Sequence, residues 1–198
     1  MKGATITGKR DYGNKEMERV AEKGCRVRFS ASSRMPAYNL VDGADMDLVV
    51  SEAKSIGIEP DYLRFNSSGA NGTSYDPTDD IVDIKGDVFP RLTEAHPRAR
   101  MSIRAVLAHE FYGHRPNRAQ YLWELENNIP FELDEWQDEF RASYNASKAD
   151  IDLSVADRAC LHDDAISRAE EKQAYGKLEK LLKELDIYER NWKKRMRT

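Results

Sequence analysis

The sequence predicts an α+β domain: a small mixed sheet with an edge strand, then a helical C-terminal half. Three observations point there. Between residues 60 and 90 the apolar residues form short runs separated by Asn, Gly, Asp and Pro. Beyond Pro97 they recur at helical spacing. Strand signals that precede helical ones as a block give the segregated order of an α+β fold. At 198 residues the chain is long enough for one domain with a sizeable core, and 40% apolar with 33% charged residues is a globular balance.

Residues 1–37 carry scattered Gly, Ser and charge with one β-like run, Cys25 to Ser30, and read as a lead-in or linker. The domain proper is expected over residues 38–198. Met46, Val49, Val50 and Ala53 mark a helix from Asp45 to Ile56, with Gly57 as its C-cap. Tyr62 to Phe65 reads as a short strand and Asn66 to Gly72 as turn throughout. Ile81 to Ile84 alternates loosely with charge and reads as an edge strand. Ile103, Val106, Leu107 and Glu110 form one helical stripe that should stop at Pro116. Leu133, Trp136, Phe140 and Tyr144 form the buried face of a second helix, Leu133 to Lys148. A third is expected to start at the N-cap candidate Ser154 and run towards Asn191, with a break near Gly176.

Several function classes drop out early. Apolar runs are stubs such as Val106-Leu107-Ala108, far short of the ~20 residues of a membrane span. No secretory signal is visible behind Met1, and two cysteines are too few for a disulfide scaffold. A cytoplasmic, reducing location is therefore expected, unless the chain is part of a larger or exported protein. Cys25 and Cys160 lack the paired spacing of structural zinc ligands and read as buried thiols or bystanders. Net charge is −4, but residues 1–35 and 172–198 each carry +5 while 124–171 carry −10. The basic ends have no aromatic interleaving, and nucleic acid is not expected as a partner. The acidic stretch matters more, because it surrounds a possible cation site.

That site begins with His109-Glu110-Phe111-Tyr112-Gly113-His114. Two imidazoles flanking a glutamate on a helix are what a catalytic zinc site uses: the rings hold the ion, and the glutamate polarises water. The usual spacing is i and i+4, ~40° apart around a helix. Here it is i and i+5, ~140° apart on ideal geometry. Both rings can reach one ion only if the turn is widened, as in a π-bulge, or unwound. Gly113 and Pro116 make such distortion cheap.

A third ligand must be a carboxylate. Glu139 lies at the edge of the buried face of its helix. Ala142 and Ser143 on the same edge are small enough to let that helix approach, and Ser143 is placed to orient a ligand from behind. Glu170 and Glu171 are the alternatives. His162 and Tyr144, with Tyr112 and Arg141 behind them, are candidates to stabilise an oxyanion. His96 has no identifiable partner.

These residues resemble the zinc motifs of the dipeptidyl peptidase III family, where a glycine also precedes the second histidine. The family's second motif, Glu-Glu-x-Arg-Ala-Glu, is similar to Asp138-Glu139-Phe140-Arg141-Ala142-Ser143. The likeness covers some twelve residues and departs at Asp138 and Ser143. By length, the chain is closer to compact bacterial or phage-type zincin-like domains. The resemblance implies a gluzincin-like zinc metallopeptidase in which His109, His114 and Glu139 bind Zn²⁺ and Glu110 is the general base. It also implies a peptide or protein substrate paired along the Ile81–Ile84 strand. The competing reading is a non-catalytic metal-binding or structural domain on the same scaffold, of the kind phages and mobile elements carry.

Overall fold

The computed structural model describes residues 40–68, 72–90, 97–129, 133–172 and 178–195. The lead-in, with its Cys25–Ser30 run, and His96 lie outside them. The described residues form a mixed α+β fold, mostly helical, with a single three-stranded sheet among them. No helix among them is long and apolar enough to cross a membrane.

Helix α1 spans Gly43–Ser55, capped by Asp42, whose Oδ1 accepts from the Asp45 amide at 3.1 Å. It buries Val49 and Ala53. It is followed by Gly57 at φ +82°, a left-handed conformation that favours a residue without Cβ.

Strands β1 (Leu63–Phe65), β2 (Ser74–Asp76) and β3 (Ile81–Ile84) are ordered β1-β3-β2. β1 runs parallel to β3, with Leu63 opposite Val82, and β2 antiparallel to it, with Tyr75 opposite Val82. The expected edge strand Ile81–Ile84 is therefore the central strand, and β2 is an edge. The charge that suggested an edge is internal: Asp83 is only 5% exposed. The Arg64 guanidinium of β1 binds Asp83 at 2.7 Å, Asp76 of β2 at 2.8 Å and Asp79 of the intervening turn at 2.5 Å. One cation thus gathers acidic groups from both other parts of the sheet, and the solvent-facing reading of Asp83 fails for that reason.

The β2–β3 turn ends at Asp80, a non-glycine residue at φ +59°. It accepts from Arg115 Nε and Nη2, each at 2.8 Å, and from the Tyr75 hydroxyl at 2.6 Å. Arg115 also lies over the Tyr62 and Phe111 rings, 4.4 Å from each centroid. The hydrogen bond from Arg115 lowers the Asp80 pKa to about 2. Because the folded value lies below the unfolded one, this contribution to stability is complete above about pH 4 and is lost as pH falls through about 2. Denaturant unfolding of wild type and Arg115→Gln between pH 2 and 6 should show a stability gap that narrows on acidification.

Helix α2 (Ile103–Ala108), capped by Ser102, runs into a π-turn over His109–His114 and a 3-10 turn at Arg115–Asn117. Pro116 was expected to stop the helix. It sits instead in the first turn of the 3-10 segment, where its missing N–H goes unneeded, and the chain re-enters helix as α3, Arg118–Glu126. That helix falls within the stretch beyond Pro97 read as helical, although it was not delimited as a separate element.

Helix α4 (Glu135–Lys148) starts on an Asp134/Gln137 capping box, and α5 (Val155–Glu171) on a Ser154/Asp157 box. Helix α6 spans Leu178–Arg195. The third helix, expected from Ser154 towards Asn191 with a break near Gly176, is described as α5 and α6 on either side of residues 173–177.

Val49, Ala53, Ile58, Val82, Ile84 and Leu107 form part of one apolar cluster joining α1, the sheet and α2. Phe140, Ala165, Ala169, Leu181 and Leu185 form a second, between α4, α5 and α6. Leu133, Trp136 and Tyr144 pack against the second cluster, on the stripe their spacing indicates. Cys160 is buried in α5, and Cys25 lies outside the described residues.

Candidate metal centre

The π-turn decides the geometry of the centre. Its widened winding brings residues five apart into register, and His109 Nε2 lies 3.2 Å from His114 Nε2. Gly113 contributes by having no side chain. Its φ is not in the left-handed region, but a Cβ there would sit 2.6 Å from the Ala142 carbonyl oxygen and 2.9 Å from Ala142 Cα. The π-turn therefore lies directly against the α4 backbone. Ala142 and Ser143 are both fully buried in that contact region.

This approach delivers Glu139. Its Oε2 is 3.3 Å from His109 Nε2 and its Oε1 is 3.5 Å from His114 Nε2. Two imidazole nitrogens and a carboxylate this close together match the donor types that zinc takes. His109, His114 and Glu139 are the three residues among those described whose ligand atoms converge in this way. Glu170 and Glu171, the alternatives for the third ligand, are exposed on α5 and stand outside the cluster.

Contacts behind the rings set which nitrogens face the cluster. The Ser143 hydroxyl donates to Asp164 Oδ2 at 2.5 Å, which leaves Ser143 Oγ to accept from His109 Nδ1 at 2.7 Å. Nδ1 of His109 therefore carries hydrogen, and Nε2 is the nitrogen that faces the cluster. His114 Nδ1 faces Asp138 Oδ2 at 3.3 Å, and the Tyr121 hydroxyl donates to the same carboxylate at 2.9 Å. Asp138 is in turn held by Arg141 at 2.5 Å, and Glu139 by Arg168 at 3.0 Å.

The electrostatics favour positive charge at the centre. Burial opposes a charged His114, but the Asp138 and Glu139 hydrogen bonds and the Glu110 charge outweigh it and raise the ring to about 10. Burial would likewise raise Asp138, yet the hydrogen bond from His114 and the charge of Arg141 lower it to about 2. Glu139 shows the same balance, with His109, His114 and Arg98 holding it far below the ordinary carboxylate range despite burial. Ser143→Ala removes the acceptor for His109 Nδ1, and metal affinity should fall about 10- to 100-fold. Competition with a colorimetric chelator measures it.

Glu110 stands just outside the ligand set, with Oε1 at 3.9 Å from His109 Nε2 and Oε2 at 4.0 Å from His114 Nε2. Oε2 accepts the Tyr75 amide of the edge strand at 3.1 Å, and Oε1 accepts from Arg98 at 3.3 Å. A cavity of about 360 Å³ opens beside it, lined by β2 (Ser74, Tyr75) and by Arg98, Tyr121, Leu133 and Glu135 among others.

The expected oxyanion donors are not in this cavity. Tyr144 stacks on Phe140 and its hydroxyl accepts from Lys148, while His162 is buried on α5 beside the Tyr144 ring. Tyr144 follows the second apolar cluster, because it lies one position beyond Ser143 and so turns away from the metal-facing edge. The Tyr112 hydroxyl is committed to the Ile56 carbonyl at 2.6 Å, and Arg141 is buried against Asp138. Sequence reasoning missed Arg98, Tyr121 and Asp164. Tyr121 rides on α3, which the sequence did not delimit as a separate helix. Asp164 and Arg168 have only an i, i+4 pairing to mark them, which any surface helix can show.

The chain has no significant match to a protein-family model, to a curated protein or to a solved structure.

Proposed function

We propose that this chain is a zinc-dependent hydrolase acting on peptide bonds, built on a zincin-like arrangement. The supporting observation is the convergence of two imidazole nitrogens and a carboxylate at 3.2–3.5 Å, with a second carboxylate about 4 Å off, at a cavity walled by a sheet edge. His109, His114 and Glu139 would hold Zn²⁺, which when bound supplies the Lewis acidity that makes water nucleophilic near neutral pH. Glu110 takes the proton from the attacking water at Oε1 and returns it to the leaving amine. Because Ile81–Ile84 is central, an extended substrate would lie along β2, where Tyr75 already turns its amide towards Glu110. Tyr121 and Asp138 keep His114 in the binding tautomer throughout.

A second reading, a metal-binding domain without turnover, is favoured by one feature: both Glu110 oxygens are already engaged. Two measurements separate them. Elemental analysis should give about one zinc per wild-type chain and almost none for His114→Ala. Digestion of a peptide library by the zinc-loaded protein should then yield products. A loaded protein that cleaves nothing favours the second reading, and a wild type without metal removes both.

A further inference from the structure

Arg98 has no part in the mechanism proposed above, yet it lines the cavity. It comes from a 3-10 turn, Pro97–Arg100, and its guanidinium bridges the two carboxylates the chemistry depends on. Nη1 lies 2.5 Å from Glu139 Oε2 and Nη2 lies 3.3 Å from Glu110 Oε1. The contact to Glu110 is longer than the ~2.7–2.9 Å of a strong charge-assisted bond. It also blocks the oxygen that must receive a proton.

Both carboxylates can release Arg98 and stay compensated: Glu139 keeps the Arg168 cation 3.0 Å away, and Glu110 keeps the Tyr75 amide at 3.1 Å. The remaining carboxylate beside the rings, Asp138, has Arg141 at 2.5 Å. Among the described residues lining the cavity, Arg98 is the one permanent cation. Its side chain is about a third exposed, so an incoming group can reach it. A guanidinium leaves a carboxylate cheaply only for another anion, since withdrawal without one strands a charge, and its planar fork suits a second carboxylate best.

Resting on the hydrolase reading, we propose that Arg98 docks a carboxylate carried by the substrate and thereby releases Glu110 Oε1 to act as base. The carboxylate belongs either to the substrate's C-terminus or to an acidic side chain next to the scissile bond. The exchange makes the base available only when such a substrate is present, and it reconciles an engaged Glu110 with catalysis.

The test uses three non-hydrolysable succinyl hydroxamates with the zinc-loaded full chain: one ending in alanine free acid, one in alanine amide and one in glutamate amide. Calorimetry should show the free acid or the glutamate probe binding wild type about tenfold or more tighter than the alanine amide. In Arg98→Gln, compared at equal zinc loading, that ratio should fall to about one. Arg98→Met, which keeps the aliphatic stem, serves equally if the glutamine variant does not fold. A preference for the free acid assigns the C-terminus, and a preference for the glutamate probe assigns the side chain. Equal binding of all three to a zinc-loaded wild type overturns the inference alone, as does a preference that survives loss of Arg98. A wild type that takes up no zinc and no hydroxamate overturns the hydrolase reading, and the inference with it.

Discussion

Glu139→Ala is expected to empty the centre of metal, whereas Glu110→Gln should leave it loaded and almost inert. The two carboxylates differ by small distances with large consequences. Glu139 lies within 3.3–3.5 Å of both Nε2 atoms, at ligand spacing, while Glu110 lies at 3.9–4.0 Å, outside it. Removing Glu139 leaves two imidazoles for the ion, and affinity should fall by more than the ~10- to 100-fold typical of a supporting contact. Glu110→Gln keeps a similar shape and an acceptor for the Tyr75 amide but cannot take a proton. Peptide hydrolysis should drop about 10²- to 10⁴-fold with zinc still at one per chain. Metal content by mass spectrometry and cleavage of a library-derived peptide read both variants. Full activity in Glu110→Gln removes it as the base.

Gly113→Ala should damage both fold and centre, although alanine is the better helix former. The new methyl would meet the Ala142 backbone at 2.6–2.9 Å, and backbone cannot rotate aside as a side chain can. The π-turn must then move away from α4, which carries Glu139 and Ser143. Overpacking of this kind costs about 1–3 kcal/mol, or about 2–12 °C in melting temperature for a chain of this size. The same displacement pulls Glu139 from the histidines, so zinc affinity should fall with stability. Calorimetric melting with and without zinc tests this: the metal-induced rise in melting temperature should shrink in the variant. An unchanged rise would show that the close approach is not what assembles the centre.

Much of the candidate site was legible in the chain because its chemistry is local. His109, Glu110 and His114 sit in one hexapeptide, and the angular mismatch of i and i+5 requires a distorted turn, which the π-turn supplies. Glu139 could be ranked above Glu170 and Glu171 because small residues followed it on one helix edge. Tyr144 and His162 have chemistry that suits an oxyanion but do not line the cavity: Tyr144 packs against the second apolar cluster, and His162 lies beside the Tyr144 ring. The same local logic misread Ile81–Ile84, since alternation with charge looks identical whether Asp83 meets water or Arg64.

Periodicity, caps and the histidine–glutamate hexapeptide depend on neighbours within a few residues, and one chain therefore suffices to read them. That covers the α+β order, helices α1, α4 and α5, and the first two imidazoles. Strand order, the edge status of β2, and the gathering of Asp164, Arg168, Tyr121 and Arg98 around the centre are different in kind. They depend on which helix faces lie within hydrogen-bond reach once the core has closed. Charges there are satisfied by partners such as Arg98 and Glu139, 41 positions apart, and Ser143 and Asp164, 21 apart. Such pairings leave no local trace, because the packing of Gly113 on Ala142 and of α4 on α5 sets the distances that make them.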